Sequence, residues 1–281
     1  MSVKIVVDST ADLLDEVKER VTIVPLTITF GNEEFIDGIT IDKKTFYEKL
    51  IESDTLPTTS QATPNAFLQA INPIVREGNE IVLLTVSSKL SGTYQSAMIA
   101  ASEYEGSVFV VDTESVAIGA GILTEYALQL ADQGLSASEI ASKLTEERSN
   151  VRIIAMLDTL EYLKKGGRIS STVAFAGGLL AIKPVVCLDR GEIKLLGKAR
   201  GSKQGNNLLV KEIETAGGVD FSKPVLLGYT DLSDFLLQKY IDDSYHLWKN
   251  SPSDLRETRI GSVIGTHVGP GAIAAAFFKK G

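Results

Sequence analysis

The chain has 281 residues, 44% of them apolar and 23% charged, a globular composition rather than a disordered one. Its 28 basic and 36 acidic residues leave a net charge of −8, which argues against a broad electrostatic grip on nucleic acid or anionic lipid. A single cysteine, Cys187, and two histidines, His246 and His267, rule out an intrachain disulfide framework and a cysteine-rich or multi-histidine metal site. No apolar run approaches the roughly 20 residues of a membrane-spanning helix, and the start of the chain lacks a secretory leader pattern. A cytoplasmic protein with at most transient membrane contact is expected.

The first half alternates β-branched runs with helical patterns, as an α/β fold does. Residues 3–7 read as a buried strand, and Asp8-Ser9-Thr10-Ala11-Asp12 as the turn and cap that start a helix. Residues 26–30 alternate as a half-buried strand that ends at Gly31-Asn32. Asp42 caps a helix with Phe46 and Leu50 on one face, and Thr63-Pro64 opens another bearing Phe67, Leu68 and Ile71. Residues 81–86 and 108–111 are further buried strands. Ile122, Tyr126 and Leu130 share one face of a long helix stopped by Gly134, and Ser136 with Glu139 forms a capping box.

The second half predicts a strand over 152–157, then a short helix running into Lys164-Lys165-Gly166-Gly167-Arg168. Residues 185–188 and 193–196 flank Asp189-Arg190-Gly191 as an antiparallel hairpin. Strands at 225–229 and 260–264 enclose a helix over 235–248, in which His246 reads as a packing residue. The expected architecture is two α/β domains. Residues 1–149 carry a mostly parallel sheet flanked by helices, and residues 150–281 a mixed or antiparallel sheet with helices.

Three polar stretches fall where strands should end, the usual place for ligands in open α/β sheets. Thr58-Thr59-Ser60-Gln61 precedes the helix opened by Pro64, and can equally be a connector that satisfies its own backbone. Ser87-Ser88-Lys89-Leu90-Ser91-Gly92-Thr93 follows a strand and leads into a helix, an arrangement that directs free N–H groups at a small anion or carboxylate. It lacks the Gly-Lys-Ser/Thr ending of a nucleotide-binding loop, and a plain cap at Ser91 also explains it. Gly265-Thr266-His267-Val268-Gly269-Pro270-Gly271 sets a histidine in a glycine-rich turn, where backbone can approach a ligand closely. Residues 173–182 have helical spacing with Gly177 and Gly178 inside, which suits close helix packing or room for a long apolar ligand. Asp8, Asp12 and Asp112 lie near strand ends. An enzyme acting on a small anionic substrate with Asp8 or Asp112 and His267 is therefore the alternative to a binding protein.

Taken together and in this order, several motifs make the chain resemble the DegV family, to which the fatty-acid-binding subunits of bacterial fatty-acid kinases belong. They are Val7-Asp8-Ser9-Thr10, Pro57-Thr58-Thr59-Ser60-Gln61, Leu90-Ser91-Gly92-Thr93-Tyr94-Gln95-Ser96, Gly167-Arg168-Ile169, Lys183-Pro184, Lys198-Ala199-Arg200 and His267-Val268-Gly269-Pro270-Gly271. The resemblance runs nearly end to end and implies a fatty acid enclosed between the two domains, its chain in an apolar tunnel. Thr59, Ser91 and His267 would bind the carboxylate, with Ser60, Gly92 and Thr93 beside them, and Arg168 and Arg200 would dock the kinase. The resemblance also implies a non-catalytic protein, monomeric on its own, that needs no metal or other cofactor and hands its ligand to a kinase supplying ATP. Two departures from the family pattern are Ala62, where proline is frequent, and Ala274 within Ile273-Ala274-Ala275-Ala276, where glycine is common. They bear on the local turn and the tunnel width.

Overall fold

The computed structural model describes residues 2–170, 182–249, 251 and 254–280. Strand β1 (Val3–Asp8) is buried over its last four residues, as a central parallel strand covered on both faces must be. The turn behind it caps no helix with its side chains. Helix α1 (Asp15–Lys18) is a single turn that starts from Leu14. Asp8 and Asp12 are instead buried acceptors, and Asp8 takes the amides of Thr10 and Val86 at 2.9 and 2.7 Å. β2 (Val21–Val24) lies parallel to β1, and β3 (Thr27–Phe30) turns at Gly31-Asn32 into β4 (Glu33–Ile36). α2 (Lys43–Glu52) is capped by Asp42, whose carboxylate accepts the Thr45 amide at 2.8 Å.

The stretch expected as a connector is itself strand β5 (Thr58–Ser60), antiparallel to β3. α3 (Pro64–Arg76) opens on Thr63 and Pro64 as expected, followed by β6 (Glu80–Thr85), α4 (Thr93–Ala101) and β7 (Val108–Asp112). α5 (Ala117–Asp132) and α6 (Ala137–Glu147) complete this half, and the Ser136/Glu139 capping box is present. The parallel sheet has the order β2-β1-β6-β7, and β4-β3-β5 forms a separate three-stranded sheet.

β8 (Val151–Met156) begins the second large sheet, and α7 (Glu161–Lys165) follows it. The hairpin of β9 (Ile182–Asp189) and β10 (Glu192–Arg200) turns at Arg190-Gly191. Then come α8 (Gly201–Thr215), β11 (Leu226–Tyr229), α9 (Phe235–Asp243), α10 (Tyr245–Trp248), β12 (Glu257–Arg259), α11 (Ser262–Val268) and β13 (Ile273–Phe278). The sheet runs β10-β9-β8-β13-β11-β12 and is antiparallel except between β11 and β12.

Three expectations need correction. Residues 260–264 are not a strand: β12 ends at Arg259, and extended Gly261 starts α11. Ile260, Val263 and Ile264 carry a β-branched signal, but Val263, Ile264, His267 and Val268 lie four apart in pairs and make one helical face. The helix over 235–248 breaks at Ser244, and His246 is exposed, 3.8 Å from Glu214, rather than packed. The glycine-interrupted segment lies outside the described residues apart from Ile182, which opens β9.

α5 explains how the halves join. It is buried nearly all round, as a helix inside a core must be. Through Ile118, Ile122 and Leu123 one core connects Ile5, Val7 and Val82 of the parallel sheet to Ile153, Leu226 and Ala274 of the mixed sheet.

Candidate functional site

A polar mouth opens where β5, the loop after β6, the residues after α7 and helix α11 converge. It encloses about 770 Å³ and is lined by Thr59, Ser60, Gln61, Ser91, Gly92, Arg168 and His267 together with Thr10. Thr59 belongs to the β5 ladder, opposite Ile28, so its backbone is held by the sheet. Its Oγ1 lies 2.9 Å from Nε2 of His267, although 208 residues separate the two. Ser91 Oγ accepts the Thr93 amide at 3.2 Å and lies 2.9 Å from Thr93 Oγ1. Thr93 itself is buried and does not line the mouth, so it braces Ser91 from behind. Gly92 precedes the first turn of α4, and a Cβ there would come within 2.0 Å of Gln61 Oε1. Glycine at this position therefore makes room for the Gln61 amide, which also donates to Ser96 Oγ at 3.0 Å.

His267 stands on the last turn of α11, not in an open turn past a strand. Burial first, and the nearby Arg168 guanidinium second, push its imidazole down to about 4, so it is neutral at physiological pH. Its Nδ1 is buried without a hydrogen-bond partner among the described residues. Arg168 is half-buried and turned inward: Nε donates to the Leu90 carbonyl at 3.2 Å, and the guanidinium also reaches the Gly166 carbonyl. Arg200 is exposed at the end of β10 and lines neither this mouth nor the cavity beneath it.

Below the mouth lies a cavity of about 550 Å³ with an almost wholly apolar lining, including Ile153, Ala155, Leu157, Val186, Cys187, Gly228 and Ala274. Val116, Leu163, Ile193, Ile264 and Val268 line both spaces, so the two adjoin across a shared apolar wall. Ala274, noted as a family departure, is thus a wall residue of the apolar part.

Asp8 and Asp112 line neither space. Burial pushes the Asp8 carboxyl up, opposed by its bonds to Thr10 and Val86. Asp112 accepts the amides of Ser88 and Glu114 at 3.1 and 3.0 Å. Both serve as local acceptors, and neither meets His267 across a shared space. Sequence reasoning missed Gln61 as a lining residue, although it belongs to the same quoted motif as Thr59. It also missed Thr10, Val116 and Leu163, whose apolar or capping character carries no site signal. Among the described residues no cluster of His, Cys, Asp or Glu could hold a metal ion, and no helix is long and apolar enough to cross a membrane.

Comparison with known proteins gives a consistent result. The family model described as uncharacterised protein, DegV family, matches residues 2–280. A DegV domain-containing protein of Caldanaerobacter subterraneus subsp. tengcongensis is 34% identical over 287 residues, covering 99% of each chain. One from Staphylococcus aureus is 32% identical over 280 residues, 98% of each chain. Among solved structures, a fatty-acid-binding DegV family protein of Thermus thermophilus superposes with a TM-score of 0.87 at 30% identity, covering 99% of this chain and 100% of that one. A DegV family protein of Eubacterium eligens, loaded with heptadecanoic acid, gives 0.85 at 26%, with 99% and 100% covered. The Fak B3 protein of the Streptococcus pneumoniae fatty acid kinase, loaded with linoleic acid, gives 0.86 at 25%, with both chains fully covered.

Proposed function

Since the chain belongs to the DegV family, we propose that it binds a long-chain fatty acid and presents the carboxylate to a separate kinase. The observation that carries this reading is an apolar cavity that adjoins the polar mouth and shares Val116, Leu163, Ile193, Ile264 and Val268 with it. Each Å² of acyl surface moved from water into such a cavity contributes about 25 cal/mol, which supplies most of the affinity and little selectivity. The carboxylate must still find donors, because an unpaired buried charge is strongly unfavourable.

Thr59 and Ser91, with Ser60 and Gly92 beside them, provide those donors, and His267 acts through Thr59. In the Nε2–H tautomer the imidazole donates to Thr59 Oγ1, which frees the threonine hydroxyl proton for the ligand. Thr93 fixes the Ser91 hydroxyl. The charge lining the mouth is the Arg168 guanidinium, which is already engaged by the Leu90 and Gly166 carbonyls. One carboxylate oxygen can then take the γ-phosphoryl group of ATP on the partner, releasing ADP and leaving an acyl phosphate. The chain contributes no catalytic group of its own to that transfer. The division near residues 149–150 fits this reading, since the parallel sheet ends at Asp112 and the mixed sheet starts at Val151.

Native mass spectrometry of the purified protein tests the ligand. A co-purifying fatty acid is expected, and repeated recovery of empty protein that also ignores added palmitate and oleate would refute it. For the partner, Arg200→Ala is the cleaner probe, because Arg168 also lines the mouth. Capture of an ATP-binding kinase should fall in Arg200→Ala while palmitate binding stays unchanged. Capture of no kinase by the unaltered protein would favour a lipid carrier.

A further inference from the structure

Helix α11 carries His267, yet none of its own side chains caps its start. The three residues before it are gripped by side chains from the other end of the sequence. The Lys43 ammonium donates to the Arg259 carbonyl, and the Tyr47 hydroxyl donates to the Ile260 carbonyl at 3.1 Å. Asp12 Oδ1 accepts the Gly261 amide at 2.7 Å. Lys43 and Asp12 also bond each other at 2.6 Å, which closes the grip into a ring of contacts. One turn further on, α11 presses against α2. A Cβ at Gly265 would come within 2.6 Å of the Phe46 ring and 2.7 Å of the Tyr47 hydroxyl. Lys43, Phe46 and Tyr47 are spaced as one ridge of α2. None of them, nor Asp12, lines the mouth or the apolar cavity.

We propose that Asp12, Lys43 and Tyr47 are positioning residues for headgroup recognition, fixing the rotation and height of α11 and so the reach of His267 to Thr59. An α-helix turns by about 100° and rises about 1.5 Å per residue, so even a one-residue slip at 259–261 would swing the imidazole off Thr59. A hydrogen bond of 2.9 Å tolerates only a few tenths of an ångström before it weakens. The grip is asymmetric in its energetics. Asp12 is a buried carboxylate, so removing Lys43 strands a charge, whereas removing the Tyr47 hydroxyl strands one carbonyl. This inference rests on the fatty-acid reading for its affinity arm, but not for its structural arm.

The test uses the full-length chain labelled with ¹⁵N-histidine, in which exposed His246 is an internal control. Tyr47→Phe and Lys43→Met should each weaken palmitate binding about tenfold, equivalent to about 1.4 kcal/mol. Both should shift the His267 ring signals and leave those of His246 in place, and Lys43→Arg should restore affinity and signals. Folded variants that bind palmitate as tightly as the unaltered protein, with His267 signals unmoved, would overturn the proposal. If Lys43→Met does not fold, Tyr47→Phe decides alone. Should the unaltered protein fail to bind palmitate, the ligand reading falls, and the ring signals still decide the clamp.

Discussion

At His267 burial and charge act in the same direction. The native imidazole titrates near 4, below the ordinary value of 6.5, so the unfolded chain takes up a proton first as pH falls. The stability tied to this residue is therefore complete above about 6.5 and is lost as pH drops toward 4. At about 1.4 kcal/mol per unit the loss is on the order of 3 kcal/mol. Denaturant unfolding from pH 7 to 4.5 should show a steeper decline for the unaltered protein than for His267→Gln, and equal slopes would contradict the assignment. Thr59→Ala and Ser91→Ala should each weaken fatty-acid binding by about 1–3 kcal/mol, because each strands a charged acceptor. Calorimetric titration with palmitate measures this directly, and unchanged affinity in both would place the headgroup elsewhere. Thr59, Ser91 and His267 were pointed to by the family resemblance, since the polar stretch around Thr59 alone reads equally as a connector, and the structure brings the three to one mouth. Asp12 was legible only as a turn residue, since nothing local reveals that its partner lies 249 positions away at Gly261.

Among the elements, those with local instructions were read correctly. Asp42, Thr63-Pro64 and the Ser136/Glu139 box each satisfy the amides of the turn that follows, so a few adjacent residues decide them. β5 and α11 are decided at long range. Three polar residues form β5 because β3 offers an open edge, and α11 is helical because α2 grips its entrance. Asp37, just after β4, ties this region together, facing Ser9 and Ser262, the first residue of α11. Burial pushes its carboxyl up to about 6, with Asp12 adding to the rise. A raised native value favours the folded state below about 3.8, and that advantage disappears as pH climbs through 6. Asp37→Asn should therefore gain on the order of 3 kcal/mol relative to the unaltered protein between pH 4 and 7. A stability difference independent of pH would show that Asp37 ionises freely.

For the whole molecule, fold class and the parallel sheet of the first half followed from alternating β-branched and helical segments, as did the antiparallel hairpin of the second, whereas the strand orders did not. What the pattern could not show was α5 lying between two sheets, because one face through Ile122, Tyr126 and Leu130 was legible, whereas Ala120 and Ala127 away from it are small and buried as well. A ligand in the mouth and cavity would touch Ala117 of α5, the mixed sheet and β5, and so stabilise them together. Palmitate at 100 times its dissociation constant should add about 2.7 kcal/mol to unfolding and keep one cooperative transition. Differential scanning calorimetry checks this, and a melting temperature indifferent to palmitate would argue against binding.

The position of β13 has a further consequence for biosynthesis. This strand is made after all the others, yet it sits in the interior of its sheet, between β8 and β11. At a ribosomal speed of about 5–20 residues per second, β8 waits on the order of ten seconds for its neighbour. During that interval the facing edges of β8 and β11 lack the strand that pairs with both. Because Ile273 and Ala274 of β13 wall the apolar cavity, that cavity takes shape only once this strand has been inserted.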